Sequence, residues 1–261
     1  MLLAVATLWK RELVRFIRQR SRVFGTLATP LIFWILLGSG LGSSFSLPGA
    51  LKSMDYLEYF YPGTILLIIL FTTIFASLSI IEDRKEGFLL SVLVAPVSRS
   101  AIVLGKILGG ATIAFVQGFF LLLLAPLVGI PLDFWKILMV SGALILASLS
   151  LSGLGFATAW KTESMEGYHT VMNVILFPMW LLSGALFPAA GAFSWVRWVM
   201  VINPATYVLS LLKHLLYDPN VASSMDLPSL WVSVVVTIVF GLIVFLVSLR
   251  MVQYSRVRGM E

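Results

Sequence analysis

Apolar residues run along this 261-residue chain in long, nearly uninterrupted blocks, and charged residues gather in the short stretches between them. Most blocks reach the roughly 20 residues that a helix needs to cross the hydrocarbon core of a bilayer. They are continuously apolar and do not alternate, which excludes barrel strands and leaves helices to satisfy the backbone in lipid. The pattern predicts an all-α integral membrane fold with six transmembrane helices, at residues 23–42, 61–81, 101–128, 134–159, 170–186 and 229–249.

The fifth of these spans and the region after it are less regular than the rest. Pro178 and Gly184 make the span at 170–186 short and easily broken. In the following region, residues 187–228, two apolar stretches are each too short to cross a bilayer. Their tryptophans and tyrosines are typical of a membrane interface, so we predict short external re-entrant helices before the last span.

The basic residues indicate the orientation of the spans. With six crossings, 14 of the 18 lysines and arginines lie on the side that also holds both termini. Basic loops stay in the cytoplasm, so both termini are predicted to be cytoplasmic. A five-span arrangement would place the C-terminal arginines outside and is disfavoured for the same reason.

Composition agrees with this placement. Charged residues make up 11% of the chain and hydrophobic residues 59%, with a mean hydropathy of +1.00, whereas a soluble domain is about a quarter charged. The net charge of +6 comes from residues that flank the spans, which favours contact with the membrane surface over nucleic acid. The absence of cysteine excludes disulfides and thiolate metal sites.

Residues 1–22 show a different pattern, in which basic and apolar residues separate onto two faces of a helix. The basic face consists of Arg11, Arg15, Arg18 and Arg22. The apolar face consists of Ala6, Trp9, Leu13 and Phe16. This arrangement predicts an amphipathic helix that lies in the cytoplasmic interface and leads into the first span. An ordinary basic flank without fixed geometry is the alternative.

Candidate chemistry inside the spans is sparse. No aspartate, glutamate or arginine falls within a predicted span core, and Lys106 and Lys136 stand near span ends, where their amines can reach the interface. Gln117 and Asn173 are expected to hydrogen-bond between helices rather than to bind a ligand. We therefore predict neither a proton or sodium relay nor an intramembrane catalytic residue.

Motifs for nucleotide or metal binding are also missing. The chain has no G-x-x-x-x-G-K-[ST] loop to cradle phosphates, and the glycine-rich residues 38–43 end a span without a preceding strand. His169 and His214 fall on opposite sides of the predicted membrane and cannot share a metal. The chain is predicted to be no enzyme and to bind no cofactor or metal of its own.

The loop at 82–99, between the second and third spans, is the unusual feature outside the membrane. It opens with five charged residues, continues through Gly87 into an apolar segment at 88–95, and is stopped by Pro96. About eight residues of helix cannot cross a bilayer. This segment either folds back onto the ends of its own spans or docks into a groove of another protein.

Short motifs in a fixed order give the chain a family resemblance. They are E-G at 86–87, A-P-V-S-R at 95–99, G-K at 105–106, F-P-M-W-L-L-S-G-A-L-F-P at 177–188 and I-N-P-A-T-Y at 202–207. Over essentially its whole length the chain resembles the membrane subunit of ABC-2 type ABC transporters, a group of drug, lipid and polysaccharide exporters. Relatives often carry an acidic residue shortly after the loop glycine, whereas Phe88, Leu89 and Leu90 are apolar here. Docking would then depend more on apolar contacts.

The resemblance implies a single transmembrane domain over residues 1–261, with 82–99 as its coupling loop. The chain would be the permease of an exporter in a bacterial cytoplasmic membrane and would move a drug, lipid or glycolipid outward. ATP and Mg²⁺ would bind to a separate ATP-binding subunit, two copies of which would serve two permease halves, most simply a homodimer. The alternatives are a polysaccharide exporter permease, an ion-gradient-driven secondary transporter and a non-transporting scaffold that recruits an ATPase.

The resemblance also implies three sets of site residues. Coupling to the ATPase is expected of Glu82, Asp83, Arg84, Lys85, Glu86, Gly87, Phe88, Leu89, Val92, Leu93, Pro96 and Arg99. The interfacial helix would act through Trp9, Arg11, Leu13, Arg15, Phe16, Arg18 and Arg22. The substrate pathway would be lined by Phe33, Trp34, Phe177, Met179 and Trp180.

Overall fold

The structure, a computed structural model, describes residues 1–41, 54–223 and 225–254. Regular secondary structure in these ranges is helical throughout, as predicted. The α-helices are α1 (Leu2–Arg18), α2 (Arg20–Leu41), α3 (Tyr56–Lys85), α4 (Phe88–Val94), α5 (Arg99–Leu123), α6 (Phe134–Lys161), α7 (Met165–Val171), α8 (Phe177–Trp180), α9 (Ser194–Ile202), α10 (Pro204–Leu216), α11 (Pro219–Ser223) and α12 (Leu230–Tyr254). Shorter segments are the 3₁₀ turns Ala125–Val128 and Ala189–Gly191 and the π-helical segments Met172–Leu176 and Leu181–Ala185.

Five of the described helices are long and apolar enough to cross a membrane, namely α2, α3, α5, α6 and α12. A sixth crossing results if α9 and α10, which meet at an angle of 84°, are counted together as one span. The five long helices coincide in position with the predicted spans one to four and six. The third span is shorter than predicted: α5 ends at Leu123, and Pro126 lies in a 3₁₀ turn that follows it.

The predicted fifth span is not a regular helix. Residues 165–185 consist of α7, a π-helical segment, α8 and a second π-helical segment. Pro178 has no backbone N–H to donate, and Gly184 adopts a positive φ of 89° that ends the helical run. The crossing predicted at 170–186 therefore stays a prediction.

The predicted boundary between the N-terminal helix and the first span is wrong by a few residues. α1 ends at Arg18, Gln19 departs from helical geometry with a ψ of 75°, and α2 begins at Arg20. Arg22 therefore belongs to the first spanning helix. The predicted end of that span at Gly42, and the basic residues Lys52, Arg256 and Arg258, lie outside the described residues.

The helix α3 forms the centre of the bundle and contacts α2, α5 and α6. In its most apolar stretch 89% of the residues are buried, against 17% in α2 and 22% in α12. The core of the bundle is therefore built around α3, and α2 and α12 present apolar faces outward. Such faces are stable only against lipid or another apolar protein surface.

Candidate functional site

The N-terminal helix α1 packs along α5 at the basic end of the bundle. Two glycines of α5 permit the close approach: a Cβ at Gly105 would fall 2.6 Å from Leu8 Cβ, and one at Gly109 would fall 2.6 Å from Glu12 Cβ. The face of α1 turned inward carries Leu8, Glu12 and Phe16, all buried. An acidic side chain is thus inserted between helices and needs a cation beside it.

Lys106 of α5 supplies that cation. Its Nζ lies 2.7 Å from Glu12 Oε1, donates to Ser79 Oγ at 3.1 Å, and also forms an ion pair with Asp83 Oδ2. Ser79 in turn donates to Glu12 Oε2 at 2.6 Å. Glu12, Asp83 and Lys106 are each less than a tenth exposed. Three helices, α1, α3 and α5, are therefore joined by one buried set of charges.

Arginines of α1 and α2 enclose the same carboxylates from the outside. Arg11 binds Asp83 in bidentate fashion, with Nη2 2.6 Å from Oδ1 and Nη1 2.9 Å from Oδ2. Arg15 Nη1 lies 2.5 Å from Asp83 Oδ1, and its Nη2 lies 2.8 Å from Glu82 Oε2. Glu82 also pairs with Arg22 at 2.7 Å. We call the following set the ion cluster: Arg11, Glu12, Arg15, Arg22, Glu82, Asp83 and Lys106.

Arg11 connects the ion cluster to α4. Its guanidinium carbon lies 3.7 Å from the centroid of the Phe88 ring, close enough for a cation–π contact. Burial lowers the pKa of Arg11, but the hydrogen bond and charge of Asp83 more than offset it, so the pKa is raised above its ordinary value. The guanidinium therefore stays charged and holds the first residue of α4 against α1.

The helix α4 presents one side inward and the other outward. Gly87, with a φ of 75°, makes the left-handed turn that separates α4 from α3. Leu89 is 5% exposed, whereas Leu90 is 50% and Val94 71% exposed. Beside α4 and the start of α1 lies a cavity of about 370 Å³ lined mainly by apolar side chains, among them Leu3, Leu8, Phe88, Val92 and Val97. An apolar groove and an apolar helix edge thus stand side by side.

The predicted coupling and interfacial residues differ in accessibility. Those with exposed side chains are Arg18, Lys85, Glu86 and Pro96. Those that are half-buried are Trp9, Arg11, Leu13, Arg15, Arg22, Glu82, Arg84, Gly87, Phe88, Val92, Leu93 and Arg99. Those that are buried are Phe16, Asp83 and Leu89. Asp83 is held inside the ion cluster, so its carboxylate has no surface to offer a partner in this arrangement.

Two members of the ion cluster escaped the sequence-based prediction. Lys106 was expected to reach the interface, and this is wrong, because its amine is buried between two carboxylates. Glu12 was not singled out, although it is the sole acid among residues 1–22. A signal was present in the glycines at 105 and 109, whose spacing lets a second helix approach α5 closely. Among the described residues, no group of three histidine, cysteine or acidic side chains could hold a metal ion.

At the opposite end of the bundle, side chains of α3, of α10 and of the N-cap residue before α10 donate hydrogen bonds to carbonyls of the broken helix 165–185. Asn203 Nδ2 donates to the carbonyls of Met179 and Leu182 at 2.6 and 3.1 Å. The Gly184 carbonyl accepts from Tyr59 Oη and from Lys213 Nζ, both at 3.2 Å. Backbone groups freed by a helix break must find such partners inside a membrane protein. This requirement accounts for the Asn203 of the I-N-P-A-T-Y motif.

Tyr59, Asn203 and Lys213 together form what we call the clamp at the helix break, and Lys213 is its least expected member. It is 1% exposed, and its Nζ lies 3.8 Å from the centroid of the Tyr59 ring. No ion pair to it is found within the part of the chain that the structure describes. Lys213 was not singled out from the sequence, because the folding of α10 against the helix break cannot be read from local spacing.

The predicted pathway residues differ in how far their side chains are buried. Phe33 is 37% exposed, Trp34, Phe177 and Met179 are half-buried, and Trp180 is fully buried. Trp180 donates from Nε1 to the Gly63 carbonyl at 2.8 Å and packs against the ring of Phe177. In this arrangement of the single chain Trp180 has no surface free for a substrate.

The polar residues predicted to join helices behave differently from each other. Gln117 donates from Nε2 to Thr26 Oγ1 at 3.1 Å and accepts from the hydroxyl of Thr72, so it bridges α5 to α2 and α3. Its predicted role as an interhelical hydrogen-bonding residue is confirmed. Asn173 is exposed on the surface of the helical stretch 165–185.

Comparison with known proteins agrees with this architecture. The family model described as ABC-2 type transporter matches residues 4–217, a range that contains all but the first two residues of α1 and the whole clamp at the helix break. The chain belongs to the ABC-2 type transporter family, and it is a multi-pass membrane protein of the permease kind.

Individual relatives carry transport names. A putative transport permease, ycf38, of Cyanophora paradoxa is 27% identical over 255 residues, which cover 94% of this chain and 87% of the relative. Nodulation protein J of Rhizobium meliloti (strain 1021) is 26% identical over 200 residues, which cover 74% of this chain and 74% of the relative. The probable multidrug ABC transporter permease YbhR of Escherichia coli (strain K12) is 25% identical, over 72% of this chain and 51% of the relative.

Proposed function

We propose that this chain is the membrane half of an ATP-driven exporter and that a separate ABC ATP-binding subunit drives it through α4 and α1. Family membership implies such a subunit. The observation that carries the proposal is the ion cluster, which joins the last turn of α3, just before α4, to α1 and α5. A displacement of α4 would therefore be transmitted to α1, α3 and α5.

The mechanical argument rests on how short the connections are. α4 follows α3 after only Glu86 and Gly87, and Arg11 binds both Phe88 and Asp83. Closely packed interiors are hardly compressible and pass displacement on. Buried, fully paired charges also resist separation, because an unpaired charge in the interior is costly. α1, α3 and α4 would therefore move together when a partner pushes on α4.

We place the docking surface for the ATP-binding subunit on the part of α4 that is accessible in this chain. The exposed edge of α4, at Leu90 and Val94, lies beside the apolar cavity between α4 and α1. Lys85 and Glu86 flank this edge with opposite charges that would orient a partner. Two ATP-binding subunits carrying ATP and Mg²⁺ would act on two permease chains in a bacterial inner membrane. Both termini of each permease chain would lie on the cytoplasmic side.

A second copy of the permease would cover apolar surface that one chain leaves open. Only 17% of the most apolar stretch of α2 is buried. Phe33 and the half-buried Trp34 lie on α2, and the half-buried Phe177 lies on the broken helix. These are the elements expected beside a pathway between two halves.

The substrate we propose is hydrophobic or amphipathic, a drug, lipid or glycolipid moved outward. A polysaccharide is the competing substrate class, since relatives include both a multidrug permease and a nodulation protein.

The test is ATP-dependent flux in vesicles that contain this chain and its ATP-binding subunit, measured across a panel of lipids, drugs and glycans. The informative variants are Leu90→Asp and Val94→Asp, because both side chains are exposed and neither supports the core. We expect each to lose co-purification with the ATP-binding subunit and to lose flux while still inserting in the membrane. Leu127→Asp is the matched control, since Leu127 is 80% exposed in the 3₁₀ turn that follows α5, away from α4. Wild-type binding and flux in both α4 variants would refute the docking surface, and no ATP-stimulated flux of any compound would refute the exporter.

A further inference from the structure

Away from the ion cluster, α6, α10 and α12 diverge around an apolar groove. The groove has a volume of about 300 Å³, and its lining is almost entirely apolar. Residues that define it are Met139, Gly142, Leu146, Leu211, Leu215 and Trp231. Because α6 and α12 are long and apolar enough to cross a membrane, we expect the groove to face the hydrocarbon of the bilayer.

Gly142 gives the groove its depth. A Cβ built there meets no atom within 4 Å, so no neighbour requires a glycine at this position. Two other glycines of α6 are different: a Cβ at Gly153 would lie 3.2 Å from Val244 Cγ2, and one at Gly155 would lie 2.5 Å from Ser77 Oγ. Glycine weakens a helix relative to alanine. Its structural effect at 142 is to leave room beside the helix.

A cation lies next to residues that line this groove, although it is not itself part of the lining. Lys136 is one helical turn before Met139 on α6, and its Nζ donates to the Leu216 carbonyl of α10 at 3.1 Å. An ammonium group has three donors, so others remain for a ligand. Asp133, the N-cap of α6, accepts from the Lys136 backbone N–H at 2.7 Å and is turned to its own helix start. Trp231 is 77% exposed at the rim, as expected at the level of lipid headgroups.

We propose that this groove binds one phospholipid of the surrounding bilayer, with an acyl chain along Gly142 and the phosphate beside Lys136. An apolar slot inside the hydrocarbon region takes an apolar chain, and a half-buried amine at its headgroup end takes an anionic group. The site is built from α6, α10 and α12, whereas the proposed pathway uses α2 and the broken helix. The lipid is therefore a resident ligand that does not depend on the proposed function.

The experiment uses the full chain in vesicles of phosphatidylethanolamine and phosphatidylglycerol, with a small fraction of a phosphatidylglycerol whose acyl chain carries a diazirine. After illumination, mass spectrometry locates the labelled residues. We expect labelling to concentrate at 139–146 and 230–234. Gly142→Leu should lower it by about tenfold, because the new side chain displaces methylenes worth roughly fourfold each in binding. Val239→Leu, which adds volume at an exposed position of α12 outside the groove, is the control and should leave labelling unchanged.

The headgroup contact has its own test, in a variant that leaves the groove open. Lys136→Gln should lower labelling by the phospholipid probe about fivefold and leave labelling by a diacylglycerol probe, which lacks the phosphate, as in the wild type. Labelling spread evenly over α2 and α12, and insensitive to Gly142→Leu, would overturn the proposal in favour of ordinary lipid contact. Absence of labelling at 139–146, together with a disulfide between two copies of a Met139→Cys variant of this cysteine-free chain, would overturn it in favour of a second copy as the occupant.

Discussion

Replacing Lys106 by methionine removes the cation that stands between Glu12 and Asp83 and keeps the apolar volume of the side chain. The lysine and glutamate side chains are 4% and 6% exposed, so water cannot reach them to compensate. Asp83 keeps Arg11 and Arg15, whereas Glu12 keeps only Arg11 at 3.3 Å and the Ser79 hydroxyl. Breaking a buried pair by removing one partner costs roughly 3–5 kcal/mol.

The assay is thermal unfolding of the purified chain in detergent. Since a protein of this size loses about 2–4 °C in Tm per kcal/mol, Lys106→Met should lower Tm by about 10 °C. Glu12→Gln combined with Lys106→Met should recover part of the loss, because it removes both charges, and the two changes should couple by about 1–3 kcal/mol. Lys10→Met, at an exposed position of α1, is the control and should stay within about 0.5 kcal/mol of the wild type. Equal Tm values for Lys106→Met and Lys10→Met, or strict additivity in the double variant, would refute the buried ion cluster.

Three further predictions concern packing, the helix break and topology. Gly105→Ala should destabilise the chain by about 1–3 kcal/mol, because its Cβ would lie 2.6 Å from a side chain of α1, while Gly142→Ala should cost nothing; a shared Tm for these two variants would argue against the close approach of α1. Asn203→Ala leaves two carbonyls of the broken helix without their donor and should cost about 1–3 kcal/mol in thermal unfolding; an unchanged Tm would mean that the clamp is not formed. In this cysteine-free chain, Ser91→Cys should react only with a reagent supplied from the cytoplasm and Asn220→Cys only with one supplied outside; reaction from the same side would contradict the orientation.

The spanning helices were predictable because a bilayer imposes a strong and local requirement. Continuous apolar length is visible in the sequence, and α3, α6 and α12 appear close to where the hydropathy of the chain predicts them. The helix α4 was also predictable, since Gly87 and Pro96 delimit a short apolar run. In each case the deciding interaction is local, either between the backbone and lipid or within one turn of helix.

The ion cluster and the clamp could not be predicted in the same way, because both depend on contacts between distant residues. Glu12 and Lys106 are 94 positions apart and meet only because Gly109 lets α1 approach α5. Taken alone, each charge fits a membrane surface equally well. Lys213 likewise reaches Gly184 only after the chain has bent by 84° between α9 and α10. Burial of these charges is a property of the tertiary structure and leaves little trace in local spacing.

Coupling through the ion cluster is tested most directly by the amount of substrate exported per ATP hydrolysed, in vesicles that contain this chain and its ATP-binding subunit. It is measured for the wild type and for Lys106→Met below the unfolding temperature of the variant. If the ion cluster passes the movement of α4 to the bundle, the variant will still bind the ATP-binding subunit and allow ATP hydrolysis but will export little substrate. Export per ATP equal to that of the wild type, with the cluster broken, would show that the ion cluster does not pass the movement of α4 to the bundle.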